Sequence, residues 1–135
     1  MTAVELPEGL RAQILHAAAI AHPGECCGLV AGVRESAQFR VRALHPARNL
    51  AVAIDRFEID PADHLAASKA ARAAGHQIIG CYHSHPNGRG EPSAHDLGGA
   101  GEENFLWLIA ADGELAAFVY SCGGFVASDC RISSG

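Results

Sequence analysis

The stretch His83-Ser84-His85-Pro86-Asn87-Gly88-Arg89-Gly90-Glu91-Pro92-Ser93-Ala94-His95-Asp96 decides how this chain is read. It follows Gln77–His83, a predicted strand centred on Ile78, Ile79 and Cys81. Residues two apart on a strand project to one face, so His83 and His85 present two imidazoles side by side. Two prolines and two glycines then fold the chain back. Ser93 is predicted to cap a short helix through about Gly98, which sets Asp96 in its first turn and lets it supply an oxygen near the strand end.

Working outward, residues 6–22 are predicted helical, because Leu6, Leu10, Ile14, Ala18 and Ala21 recur at steps of three and four. Pro7 suits the first turn and Pro23 closes the segment. Cys26–Val33 is short, apolar and bounded by Gly24 and Arg34, so it is predicted to be a buried strand. Gln38–Leu44 alternates Phe39 and Val41 with Arg40 and Arg42, the pattern of a half-exposed strand. Residues 45–54 are irregular, and Arg56–Ile59 is read as a short strand. Asp60-Pro61 opens an alanine-rich helix that runs to about Ala74 and stops at Gly75. Downstream of the histidine stretch, Phe105–Ala111 and Glu114–Tyr120 are predicted strands joined at Asp112-Gly113, a pair suited to a two-residue hairpin turn. After Gly123-Gly124 a last strand is expected over Phe125–Ser128. This order predicts an α/β fold, a sheet with helices packed on it, in a single domain over residues 1–135.

Composition narrows the function. The chain has 135 residues, 49% of them hydrophobic, enough for one well-filled core. Its net charge is −5, and its ten Lys and Arg residues are scattered. A nucleic-acid backbone binder would show a clustered basic face, so nucleic acid is set aside as a partner. Five cysteines, Cys26, Cys27, Cys81, Cys122 and Cys130, have no paired spacing. Together with an acidic N-terminus unlike a secretory signal, this fits a reducing cytoplasm. The longest apolar run is far short of a membrane span, so no membrane partner is expected.

The chemistry follows from the ligand types. Two histidines and one carboxylate leave a tetrahedral Zn²⁺ one open position, the arrangement of a hydrolytic site and not of a closed structural one. Such an ion lowers the pKa of a bound water to about 7 and polarises a carbonyl. A base for the water proton and a donor for the oxyanion are then still required.

His83-Ser84-His85-Pro86, the seven residues that separate His85 from Ser93, and Ser93-Ala94-His95-Asp96 together resemble the motif of the JAMM (MPN+) metalloprotease family. Gly80, Leu97 and the upstream segment Pro23-Gly24-Glu25-Cys26-Cys27-Gly28-Leu29-Val30 also fit it, and the likeness runs from about residue 6 to 121. The resemblance implies that His83, His85 and Asp96 bind one zinc ion. It implies that Glu25 accepts the water proton and passes it to the leaving amine, and that Ser93 donates to the tetrahedral oxyanion. The fold it implies is a curved mixed β-sheet flanked by helices, related to the cytidine deaminases. Insertions that eukaryotic members use to grip ubiquitin chains are not evident. The chain is closer to small prokaryotic members, which trim the C-terminal Gly-Gly end of ubiquitin-like sulfur carriers, one of them releasing cysteine.

The remaining candidates are read more plainly. His95 should point away from Asp96, and His16, His22, His45, His64 and His76 are expected to be solvated. Cys27 and Trp107 are assigned to the core and Ser84 to structure, while Asn87 and Arg89 lie where substrate would pass. The leading function is a metallopeptidase or isopeptidase acting at the C-terminal end of a ubiquitin-like or sulfur-carrier protein, with a homodimer left open. A non-catalytic interaction module on the same fold and a peptidase for other small peptides are the alternatives. A zinc deaminase is excluded, because those enzymes carry His-x-Glu with Pro-Cys-x-x-Cys.

Overall fold

Alternation in the first residues and in the last ones meets in space. The computed structural model describes residues 2–134. Its elements are β1 (Ala3–Pro7), α1 (Glu8–Ala21), β2 (Cys27–Glu35), β3 (Gln38–Ala47), α2 (Pro61–Ala73), β4 (Gln77–Ser84), α3 (Ala94–Gly99), β5 (Phe105–Ala111), β6 (Glu114–Ser121) and β7 (Gly124–Ser133). The strands pair in the order β1-β3-β2-β4-β5-β6-β7, and β7 returns to β1, so the sheet closes. Pairing is parallel for β1–β3, β1–β7 and β4–β5 and antiparallel elsewhere. The expected mixed, curved sheet with flanking helices is present, and its curvature runs on to closure. No helix of the described residues is long and apolar enough to cross a membrane.

Closure rests on two segments read differently from sequence. Val4 and Leu6 are buried on β1, whereas Leu6 was assigned to the first helix. Pro7 has extended backbone and occupies the N-cap, so α1 begins only at Glu8. The last strand continues five residues past Ser128, and that extension, Asp129–Ser133, is the part that pairs with Ala3–Pro7. Each segment is stabilised by the other across the whole chain, a pairing that local pattern does not reveal. Strand β3 likewise runs on to Ala47, and Arg56–Ile59 forms only an isolated bridge between Asn49 and Ile59.

Other elements follow their local signals. The Asp60 carboxylate accepts from Ala62 N at 2.9 Å and starts α2. Asp112 and Gly113 both take positive φ, 54° and 77°, as a two-residue hairpin turn requires.

The closed sheet has two apolar sides. Inside, Val4, Leu6, Val30, Phe39, Val41, Leu106 and Leu108 pack with Ile14 of α1. Outside, Leu29, Cys81, Phe105 and Trp107 pack with Ala67 of α2. In β4 the register slips between Gly80, opposite Val30, and Ile78, opposite Ala31. The extra residue lets Ile79 and Tyr82 both face the inner core, while Cys81 stays on the outer side. His83, two residues on from Cys81, lies on that outer side too.

At Gly80 the strands approach too closely for a side chain: a Cβ would meet the Leu106 backbone of β5. Gly80→Ala is therefore expected to destabilise by about 2–3 kcal/mol, since backbone and not a flexible side chain must move. Gly124→Ala, at a position with open space, should change stability by less than about 0.5 kcal/mol. Urea unfolding of both variants checks the contrast, and equal midpoints would refute it.

Candidate metal centre

Strand β4 ends in the inner-facing Ser84 between two outer-facing imidazoles. His83 and His85 point the same way, as their i, i+2 spacing predicts, with Nε2 atoms 2.9 Å apart. Asp96 arrives from the first turn of α3. Its Oδ2 lies 3.1 Å from His83 Nε2 and 3.0 Å from His85 Nε2. The three atoms form a nearly equilateral triangle, and all three side chains are buried.

Each corner is held from behind. Asp96 Oδ2 accepts Ser93 N–H at 2.9 Å, and Ser93 Oγ accepts Asp96 N–H at 3.1 Å, a reciprocal helix-start box. His85 Nδ1 donates to Arg89 O at 2.7 Å across the proline-glycine loop. That bond leaves Nε2 of a neutral His85 as a bare lone pair. The His83 ring stacks on Phe57 with centroids 4.3 Å apart and meets the edge of Trp107.

The electrostatics favour a cation at the triangle. Burial pulls His83 below the usual imidazole range, despite its bonds to Asp96, so the ring is neutral. Burial also opposes ionisation of Asp96, yet the His83 and His85 imidazoles facing its Oδ2, together with the Ser93 N–H, outweigh it and hold the carboxyl well below its ordinary range. For His85, burial is overcome by Asp96, the Arg89 carbonyl and Glu25, and the net direction is upward. A carboxylate oxygen and two imidazole nitrogens converging on one point form a donor set suited to a cation. Tetrahedral Zn²⁺ with ligands at about 2.0–2.1 Å would set them about 3.3–3.4 Å apart, close to the spacing here. The donor set thus fits zinc.

Glu25 completes the group. It lies two residues before Cys27 of β2, the partner of His83 on β4, and is only 6% exposed. One of its carboxylate oxygens and ring nitrogens of both histidines lie within 4.8 Å of one another. Its Oε1 has no hydrogen-bond partner. Burial pushes its pKa up to about 7, with His85 opposing and Asp96 and Asp55 adding to the rise. Two carboxylates therefore have opposite characters at one site. Asp96 stays ionised among donors, and Glu25 is poised to exchange a proton.

A cavity of about 360 Å³ opens over this group, lined by Glu25, Asp55, His85, Arg89, Pro92 and Ser93 among others. All five residues singled out from sequence, Glu25, His83, His85, Ser93 and Asp96, therefore come together. Of the two loop residues expected near substrate, Asn87 spends its Oδ1 on Arg89 N at 2.9 Å, and both line the cavity. His95 is exposed and meets Arg56 and Asp55, away from the triangle. His45 and His76 are not fully solvated as expected: each has a ring nitrogen, Nε2 and Nδ1 respectively, shut off from water without a partner. Sequence reasoning missed Phe57 and Asn49, both in the loop before α2. The lone aromatic Phe57 in a polar stretch was the available signal for the first.

Residues 7–121 match the family described as prokaryotic homologs of the JAB domain. The chain is 36% identical over 97 residues to a desampylase of Haloferax volcanii, covering 70% of this chain and 68% of that protein. It is 33% identical over 98 residues to a desampylase of Pyrococcus furiosus, covering 72% and 67%. Among solved structures, a protein of Desulfitobacterium hafniense superposes with a TM-score of 0.88 at 28% identity, over 98% of this chain and 94% of that one.

Glu25 should cost the metal-free protein stability. Its folded pKa, about 7, lies above the ordinary 4.5, so the native state holds a proton that the unfolded chain releases. Stability contributed by this group is thus lost as pH rises from 4.5 to 7. In EDTA, Glu25→Gln should match the parent at pH 4 and exceed it by about 1–2 kcal/mol at pH 8, because the amide has no charge to desolvate. Thermal melts across that range check the sign, and a pH-independent difference would contradict it.

Proposed function

The chain belongs to the prokaryotic JAB-domain family of JAMM-type hydrolases, and on that premise we propose a zinc-dependent peptidase or isopeptidase that cleaves an amide at the C-terminal end of a ubiquitin-like or sulfur-carrier protein. The observation that carries this reading is the convergence of His83, His85 and Asp96 beside a buried Glu25 with a raised pKa, under an open cavity. His83, His85 and Asp96 would hold the ion. When bound, it supplies a Lewis acid and a water of lowered pKa.

The chain's own groups account for the proton transfers. Glu25, with Oε1 free of partners, takes the proton of the attacking water and hands it to the nitrogen of the leaving amine. A carboxyl with a pKa near 7 does both at neutral pH. Ser93 Oγ already accepts the Asp96 N–H, so its hydroxyl proton remains free to donate to the oxygen of the tetrahedral intermediate. Pro86 and Pro92 line the cavity, and an extended Gly-Gly tail, which has no side chains, is the segment proposed to enter it. The similarity to two desampylases supports a ubiquitin-like substrate. Release of cysteine from a sulfur carrier is the narrower version of the same reading. We propose that the enzyme works in the reducing cytoplasm, which its five free cysteines suit, and assign its 135 residues to one domain.

The test uses a ubiquitin-like carrier ending in Gly-Gly, extended either by a C-terminal cysteine or by an isopeptide-linked lysine peptide, with products read by mass spectrometry. Glu25→Gln should keep one zinc per chain and lose about 10³-fold or more in kcat. His85→Ala and Asp96→Ala should lose the zinc itself. Ser93→Ala should lower kcat by about 10²–10³-fold, with a secondary loss of about 1 kcal/mol of stability from the missing helix cap. Full activity in Glu25→Gln would end the proposed mechanism, and cleavage of neither adduct would end the substrate assignment.

A further inference from the structure

The Glu25 carboxyl has no hydrogen bond at Oε1, so its head is not what aims it. The backbone behind it is held from both sides. Asn49 Nδ2 donates to Glu25 O at 3.0 Å, and Cys26 N–H donates to Ser84 Oγ at 2.8 Å. These two atoms, the Glu25 carbonyl and the Cys26 amide, are the two ends of one planar peptide group. We propose that Ser84 and Asn49 act as a pair of positioning residues, clamping the peptide group that follows Glu25 and thereby aiming its carboxyl at the metal site. This rests on the reading of Glu25 as the proton carrier.

The geometry favours a clamp over ordinary packing. Fixing that peptide plane fixes ψ of Glu25, and with it the direction of the Cα–Cβ bond relative to β2. Ser84 is 3% exposed and sits between the two ligand histidines, so the strand that presents the imidazoles also holds the backbone of the base. Its own N–H donates to Cys26 O at 3.2 Å, which locks the two strands just beyond the Cys27–His83 pair.

Asn49 uses its full bonding capacity. Its Oδ1 accepts Ala51 N–H and Glu58 N–H, both at 2.9 Å, and its Nδ2 also donates to Arg56 O at 3.3 Å. One side chain therefore closes the loop that carries Phe57 against His83, and attaches that loop to the base. The two clamp residues come from different elements and meet at this peptide, so their effects should be coupled.

The variants are Ser84→Ala, Ser84→Thr, Asn49→Asp and the double Ser84→Ala/Asn49→Asp. Asn49→Asp keeps both acceptor bonds of the loop and removes the donor to Glu25 O together with the longer bond to Arg56 O. Ser84→Thr keeps the hydroxyl, and a cavity of about 570 Å³ lined by Ser84, Leu15, Ala18 and Ala110 has room for the extra methyl.

On the carrier–cysteine adduct each of Ser84→Ala and Asn49→Asp should lower kcat by about 10- to 100-fold. KM should stay within about twofold, with zinc still one per chain, and Ser84→Thr should recover most of the loss. The double variant should fall well short of the product of the two losses. In zinc-free protein, Ser84→Ala should speed amide exchange at Cys26 by about tenfold or more and move the Glu25 side-chain ¹³C carboxyl resonance, with Ser84→Thr restoring both. Independent, multiplying losses, a change confined to KM or zinc content, or an unmoved Glu25 resonance would each overturn the clamp. An inactive Glu25→Gln beside fully active clamp variants removes this inference alone, whereas an active Glu25→Gln removes the reading beneath it.

Discussion

One oxygen atom organises the site. Asp96 Oδ2 accepts the Ser93 amide and faces both imidazole Nε2 atoms within 3.1 Å. It is part of a helix start and part of a ligand triangle at once. The cap keeps the carboxylate from rotating, and the Arg89 carbonyl keeps His85 in the tautomer whose lone pair meets it. Such support from behind gives three side chains from two elements one shared focus before any cation arrives.

The rest of the molecule is arranged so that this focus lies at the end of rigid strands. Apolar residues on the inner side of the closed sheet pack with α1 and hold the strands together. The outer side carries a smaller cluster under α2, and His83 of the triangle sits at its edge, against Phe57 and Trp107. The bulge at Ile79 links the two sides. It turns Ile79 and Tyr82 inward while Cys81 faces out, and His83 follows Cys81 on the same side. Glu25 is the local exception to good packing, a buried carboxyl with an unpartnered oxygen. Burial without a fixed partner is what raises its pKa to about 7.

The helix-start and loop signals were legible in sequence because each is local. His83 lies on β4 and His85 follows its last residue, Ser93 caps the helix that carries Asp96, and the prolines and glycines between them turn the chain. Glu25 was legible only through its resemblance to a family, since nothing in Gly24-Glu25-Cys26 by itself distinguishes a proton carrier from a surface acid. Asn49 and Phe57 lay in a stretch without periodicity. Ser84 was read as structural, and its hydroxyl proves to hold the Cys26 amide.

By itself the sequence determined the ligand types, their facing on β4 and α3, and the alternation that makes a mixed sheet, because those depend on spacings of a few residues. Only the tertiary structure decided that the sheet closes, since β1 and the end of β7 are each strands by virtue of the other. Only it set Glu25 beside His83 and His85 and raised its pKa, because burial and electrostatic surroundings belong to the packed chain and not to any segment of it.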